Sequence, residues 1–388
     1  MHRELSPDAS AEDFIIDIER SLGTRFVFRG DDFSDFGRKG PSFIYVRTGG
    51  TEGLFKSVFP SFPADGKVLL LTSGKSNSLA ASMEILSYLR QAGREGEILH
   101  GSTAFIASRI ISLSEGVDGA SAELESVPGL RLLGDEELAE IKSRLSGHRL
   151  GVIGKPSDWL ISSDVDPYVA KSMLGIELVD IPIGKVVDRV KSSCADLPSF
   201  KGSEAIYDAL KSIVAEYGLD ALTIRCFDLL DTLHNTGCLA LARLNAEGIP
   251  ASCEGDVPAL ISMCIARAFT GCCGFQCNLS RIDQSAQELL FAHCTVPFDM
   301  LEKWSYTTHF ESGIGTAVKG EVRLGPATIF KIGPDLRTAF IAPVEMVRNT
   351  SEASLCRTQV VVKAPGLSRY FLTSSIGNHH ILVPGHLE

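Results

Sequence analysis

Residues 249–260 read IPASCEGDVPAL. Ile249 to Cys253 is a short apolar run of the kind a buried strand shows, and the residues from Asp256 onward have the pattern of a helix. Glu254, Gly255 and Asp256 therefore stand where a strand ends and a helix begins. In an open α/β sheet the carboxyl ends of the strands face the crevice in which ligands bind. Asp256 also reads as the N-cap of the helix, where a carboxylate accepts from free N–H groups. Glu254 has no such use: a glutamate straight after a buried apolar strand is costly unless it is paired, hydrated or bound to a cation.

The same alternation extends in both directions. SFIYVRTGG (42–50) and KVLLLTSG (67–74) read as strands, SNSLAASMEILSYLRQA (76–92) as a helix, LRLL (130–133) and RLGVI (149–153) as strands around a capped helix near 135–146. Further strands are expected near 176–181, 220–226 and 249–253, with helices between them. Such alternation implies parallel sheets covered on both faces. From about 288 the pattern changes to short extended pieces separated by Gly, Pro and Ser. The expected fold is α/β: two Rossmann-like parallel-sheet domains, 1–147 and 148–287, the second carrying Glu254, and a smaller all-β domain, 288–388, carrying His293 and His379.

Composition removes several function classes. The 388 residues include 37 Lys and Arg against 48 Asp and Glu, a net charge of −11, which repels nucleic acid and anionic lipid. The longest unbroken aliphatic run, Val68–Leu71, is far short of the roughly 18 residues a membrane span needs. The N-terminal MHRELSPDASAEDF has no apolar h-region, so a cytoplasmic location is expected. Ten cysteines in a chain of this kind read as reduced and mostly buried. Cys273-x3-Cys277 and His293-Cys294 offer soft ligands, but one short knuckle is a poor basis for structural zinc. Ser73-Gly74-Lys75-Ser76 has the place of a phosphate loop but lacks its first glycine, since Leu69 stands there.

Further candidate ligands gather late in the chain. Asn278 follows Glu254 by 24 positions, His293 ends the apolar approach in FAHCTVP, and His379 and His380 lie in IGNHHILVPGH. Adjacent histidines in an extended segment point to opposite faces, so one is expected to be a ligand and the other not. A carboxylate, an amide oxygen and two imidazoles suit a divalent ion such as Mn²⁺ better than zinc. His309-Phe310-Glu311 is expected on a strand with both polar groups on one exposed face.

With these residues in view, the chain resembles the L-fucose/L-arabinose isomerase superfamily. The resemblance runs through TGGTE (48–52), GKPSDWLISSDVD (154–166), RCFDLL (225–230), CEGDVPAL (253–260), FAHCTVP (291–297) and GNHHILVPGH (377–386). It implies a metal-dependent aldose–ketose isomerase working through an enediol, with Mn²⁺ or another divalent cation held by Glu254, Asn278, His293 and His379 or His380. It also implies a trimer or hexamer acting on a small sugar. Asn278 stands at or near the place of an acid that shares proton transfer in the family. An amide can lend oxygen to a metal but takes no proton near neutral pH. Glu254 is then the candidate base with Asp256 as its alternative partner, while Arg225, His309 and His380 are candidates to hold substrate. Two other functions fit the same resemblance: a non-catalytic sugar-binding relative, or epimerisation or aldol chemistry on the same enediolate.

Overall fold

The computed structural model describes residues 8–387 apart from 31, 39 and 117–126. Strands β1 (Phe43–Val46), β2 (Val68–Thr72) and β3 (Gly96–Leu99) form a parallel sheet in that order. Every residue of β2 and β3 is buried, as a strand covered on both faces requires. On one face Leu71 and Leu99 meet Ile18, Ile106 and Ile110 from the helices Asp8–Leu22 and Thr103–Ser114. The helix Ser78–Gln91 covers the other face and is buried almost all round. Its second neighbour is a β-barrel: Leu79, Met83 and Leu86 share one core with Phe275, Leu279 and Phe291.

Strand β4 (Leu130–Leu132) departs from the expected alternation. It pairs antiparallel with a strand near the other end of the chain, Leu132 opposite Thr338, and so joins the barrel. The second parallel sheet consists of β5 (Arg149–Ile153), β6 (Glu177–Ile181), β7 (Ala221–Ile224) and β8 (Ala251–Cys253), in the order β6-β5-β7-β8. Val186, Ile206, Leu210, Leu241 and Leu244 pack on one face. Ile141, Ala170, Leu260, Ile261 and Ile265 pack on the other.

The antiparallel region begins at β9 (Phe275–Asp283), earlier than the change of pattern near 288. It continues with β10 (Glu288–His293), β11 (Leu301–Thr307), β12 (Ala317–Val322), β13 (Gly325–Ile332), β14 (Thr338–Thr350), β15 (Thr358–Lys363) and β16 (His380–Pro384). In β9 the alternate residues Phe275, Cys277 and Leu279 all enter the core, so Cys277 packs as a hydrophobe. Six strands follow the order β13-β16-β9-β10-β15-β14, and β13 pairs back to β14, which closes a barrel. Strands β11 and β12 make a separate ribbon. Among the described residues all ten cysteines are free, and no helix is long and apolar enough to cross a membrane.

Two buried contacts fix the barrel against the parallel sheets. The Cys253 N–H donates to Gln276 Oε1 at 2.7 Å, joining the end of β8 to β9. The Ile282 N–H donates to His100 Nε2 at 3.2 Å, joining β9 to the end of β3. The carboxyl ends of both parallel sheets are thereby brought to one side of β9.

Candidate active site

Glu254 sits in the turn after β8 with φ +66°, a left-handed conformation that a residue with a side chain adopts at a cost. The turn is braced on both sides: the Ser157 N–H donates to the Glu254 carbonyl at 3.0 Å and the Gly255 N–H to the Ile224 carbonyl at 3.0 Å. Gly255 is left-handed too, and a Cβ there would strike the carbonyl of Lys155. This geometry turns the Glu254 side chain inward, where the Trp159 Nε1–H donates to its Oε2 at 2.5 Å. Burial would raise the Glu254 carboxyl, but His379, His293 and the Trp159 hydrogen bond outweigh it and hold the group below its ordinary value. Glu254 is therefore an ionised carboxylate.

Its neighbours are imidazoles. His379 Nε2 lies 3.5 Å from Glu254 Oε1, and the His379 and His293 rings stand edge to face at 5.5 Å. Asp256, buried entirely, caps the helix Val257–Thr270 by accepting from the Ala259 N–H at 2.8 Å. Its other oxygen lies 2.8 Å from His379 Nδ1. A carboxylate on one nitrogen of a histidine fixes the tautomer and aims the other nitrogen, an arrangement common behind metal-binding histidines. His293 is set similarly by Thr295, whose hydroxyl lies 2.9 Å from Nδ1. Burial pushes His293 down to about 4, so it is neutral. For His379 burial is overridden by the Glu254 and Asp256 carboxylates, which push it up to about 10.

Asn278 on β9 is buried, and its Oδ1 has no hydrogen-bond partner among the described residues; His379 Nε2 faces the Glu254 carboxylate as an ion pair. A buried amide oxygen without a partner, beside an ionised carboxylate and a neutral imidazole, forms a donor set that a cation would complete, and a cation there would take the place of the proton that His379 shares with Glu254. Cys253, Glu254 and His293 bring ligand atoms within 4.8 Å of one another. The Cys253 thiol shares its hydrogen with Cys226, whose sulfur is 2.9 Å away, and this together with burial pushes its pKa well up. A protonated thiol is a poor ligand for a hard ion, so the residues present fit a cation that prefers oxygen and imidazole.

Above these groups lies a small cleft lined by Glu52, Asn77, Trp159, Phe227, Glu254, Asn278, Glu311 and Asn378, with Gly49, Gly50 and Ala80. Trp159 and Phe227 meet edge to face at 4.9 Å and give it an apolar wall. Glu84, buried on the helix Ser78–Gln91, ties several pieces together. It accepts from the Ser162 N–H at 2.7 Å, the Ser163 hydroxyl at 3.0 Å and the Asn378 N–H at 3.1 Å. Lys331 donates to the His379 carbonyl at 2.9 Å from the barrel side.

The structure thus brings Glu254, Asn278, His293 and His379 to one place. It puts the other sequence candidates elsewhere. Both Asp256 oxygens are used, one by the helix and one by His379, so Asp256 orients a histidine and does not open into the cleft. His380 turns to the opposite face of the chain, with Nε2 2.9 Å from the Tyr370 hydroxyl and its ring among Phe340, Tyr370 and Phe371. Arg225 makes paired bonds to Asp158 at 3.1 and 2.9 Å and one to Asp228 at 3.0 Å. His309 and Glu311 follow β11 in a turn instead of lying on a strand; His309 is buried against Phe227, and Glu311 faces the cleft, where Asn77 Nδ2 donates to it at 2.6 Å. Glu52, Asn77 and Asn378 were not singled out from the sequence. The glycine and asparagine of the loop 73–77 suit the left-handed turn found there.

Comparison with known proteins points to one class, the L-fucose/L-arabinose isomerase superfamily that the motifs resemble. The relatives that carry it are sulfoquinovose isomerases: those of Priestia aryabhattai and Priestia megaterium are each 24% identical over 231 residues, 52% of this chain and 51% of theirs. That of a Clostridium species is 26% identical over 186 residues, 44% of this chain and 40% of its own. The chain spans about half the length of the curated relatives it matches. No family model matches it.

Proposed function

We propose that the protein is a divalent-cation-dependent isomerase that interconverts an aldose and a ketose through an enediol. The observation that carries this reading is the set of converging donors: ionised Glu254, the unpartnered Asn278 Oδ1, and two histidines each anchored at Nδ1. Glu254, Asn278, His293 and His379 would hold the cation, Mn²⁺ being the best match to the donors. Such an ion supplies Lewis acidity at adjacent sugar oxygens and neutralises charge that develops there. The chain's own part is placement. Trp159 fixes one oxygen of Glu254, Asp256 fixes the His379 ring, and the Trp159 and Phe227 wall gives the apolar face of an open-chain sugar a surface to lie on. Among the described residues three carboxyl groups and no Lys or Arg line the cleft, which gives the phosphate of a phosphorylated sugar no cationic partner there.

The names of the relatives support isomerase chemistry and make sulfoquinovose one sugar to include in any panel. The resemblance adds a trimer or hexamer to the same proposal, and the N-terminal sequence adds a cytoplasmic location. Asn278 favours a second reading, a relative that binds sugar without turning it over. The test is metal analysis of the purified protein followed by a panel of aldoses and ketoses with and without chelator. Interconversion of at least one pair, lost on chelation, supports the isomerase. Calorimetric sugar binding without turnover supports the second reading.

A further inference from the structure

The isomerase reading leaves one role unfilled. Proton transfer between adjacent carbons needs a group that can both accept and donate, and Asn278 can do neither at neutral pH. Asp256 is committed to the helix and to His379, and Glu254 is held ionised among its histidines. One further carboxyl is buried and aimed into the cleft. Glu52 is 3% exposed, lines the cleft together with Glu254 and Asn278, and its Oε2 has no hydrogen-bond partner among the described residues. A buried carboxyl oxygen left unpaired is costly in a folded chain. The other acid in the cleft, Glu311, is half-buried and already accepts from Asn77.

We propose that Glu52 is the acid–base residue of this site, taking the proton from carbon 2 of the sugar and returning it to carbon 1; the proposal rests on the isomerase reading above. In the step, the C2–H bond breaks and its proton goes to a Glu52 oxygen. Its electron pair forms the C1–C2 double bond while the carbonyl pair moves to O1. The O2 proton then passes to O1, the C2 carbonyl forms, and Glu52 returns its proton to C1. Glu52 ends as it began, and no outside oxidant or reductant is needed. Burial, reinforced by the nearby Glu84, Glu254 and Glu311 carboxylates, pushes Glu52 up to about 8, so both of its protonation states are accessible near neutrality.

The experiment compares wild type, Glu52→Gln, Glu52→Asp and Glu311→Gln, each loaded with Mn²⁺, on the sugar panel in deuterated water. It follows kcat, KM, metal content and deuterium uptake at carbons 1 and 2. A separate measurement, ¹³C NMR titration of glutamate carboxyls in the metal-free protein, reads Glu52 without turnover. Glu52→Gln should lower kcat by about 10²–10⁴-fold with KM and metal content within a few-fold of wild type. Glu52→Asp should recover part of the loss, Glu311→Gln should cost less than tenfold, and a carboxyl titrating near pH 8 should vanish in Glu52→Gln. An active wild type whose Glu52→Gln variant keeps kcat within tenfold, or the absence of that titrating carboxyl, overturns the role of Glu52 alone. A metal-loaded wild type that turns over no sugar overturns the isomerase reading and this role with it.

Discussion

The turns after β2 and after β8 use the same backbone device for different ends. Each follows a buried parallel strand, forces residues with side chains into left-handed conformations, and opens a buried helix: Ser76 and Asn77 at φ +50° and +59° in the first, Glu254 at φ +66° in the second. The β8 turn is closed by the chain around it, with Ser157, Ile224 and Trp159 all bonded to it. The β2 turn is held by the Gly49 N–H donating to the Ser76 carbonyl at 2.8 Å and by the Asn77 bond to Glu311, and within itself by the Gly74 N–H donating to the Thr72 hydroxyl at 3.2 Å. The difference separates two tasks. One turn locates charge where a cation would sit, and the other shapes the wall that a substrate would meet.

Changes at the two turns should therefore differ in size and kind. Glu254→Gln should reduce turnover by about a thousand-fold or more, in line with losing a principal electrostatic group, and should lower the bound metal measured in the purified protein. A variant that keeps both would end the assignment of the β8 turn. Asp256→Asn, which leaves the cap but weakens the hold on His379, should reduce metal affinity by about 10–100-fold, read by competition with a chelator of known strength. Asn77→Gly relieves the left-handed strain and removes the bond to Glu311. Its expected outcome is about 10–100-fold weaker turnover, the size of one lost hydrogen bond to a charged group, with metal content unchanged. If Asn77→Gly instead stripped the metal, the two turns would not be separable.

The smallest effect is one of pH. Glu52 is raised by burial to about 8 in the folded protein, well above its unfolded range, so the folded state binds the proton more tightly. Stability contributed by that proton is complete below the unfolded pKa and is lost as pH rises toward 8. Denaturant melts of the metal-free protein should show Glu52→Gln gaining on wild type between pH 5 and 8. Equal pH dependence of the two would place Glu52 in a wetter setting than the structure gives it.

The residues that read well from sequence were those governed by local rules. Strand alternation put His379 and His380 on opposite faces, and the structure sends one toward Asp256 and the other among aromatic rings. The apolar run before Glu254 marked β8 and the turn after it, and Asp256 is the cap that its position suggested. Long-range pairing was not legible. LRLL at 130–133 has no feature that distinguishes a parallel-sheet strand from one that crosses to the barrel. Glu52 was hidden for the same reason: its significance lies in burial against residues two hundred positions away, which no local pattern encodes. Arg225 looked available for substrate because its acidic partner Asp158 lies on a different loop.

The union of β4 with β14 has a bearing on how the chain is made. Residue 132 leaves the ribosome long before residue 338 exists, so β4 must wait, edge uncovered, through most of synthesis. The N-terminal portion cannot reach its final form as a vectorial product, and refolding is expected to be slow, because distant pairings carry large loop-closure entropy. A nascent chain halted before β14 should remain open to proteases at β4, whereas the finished chain should not.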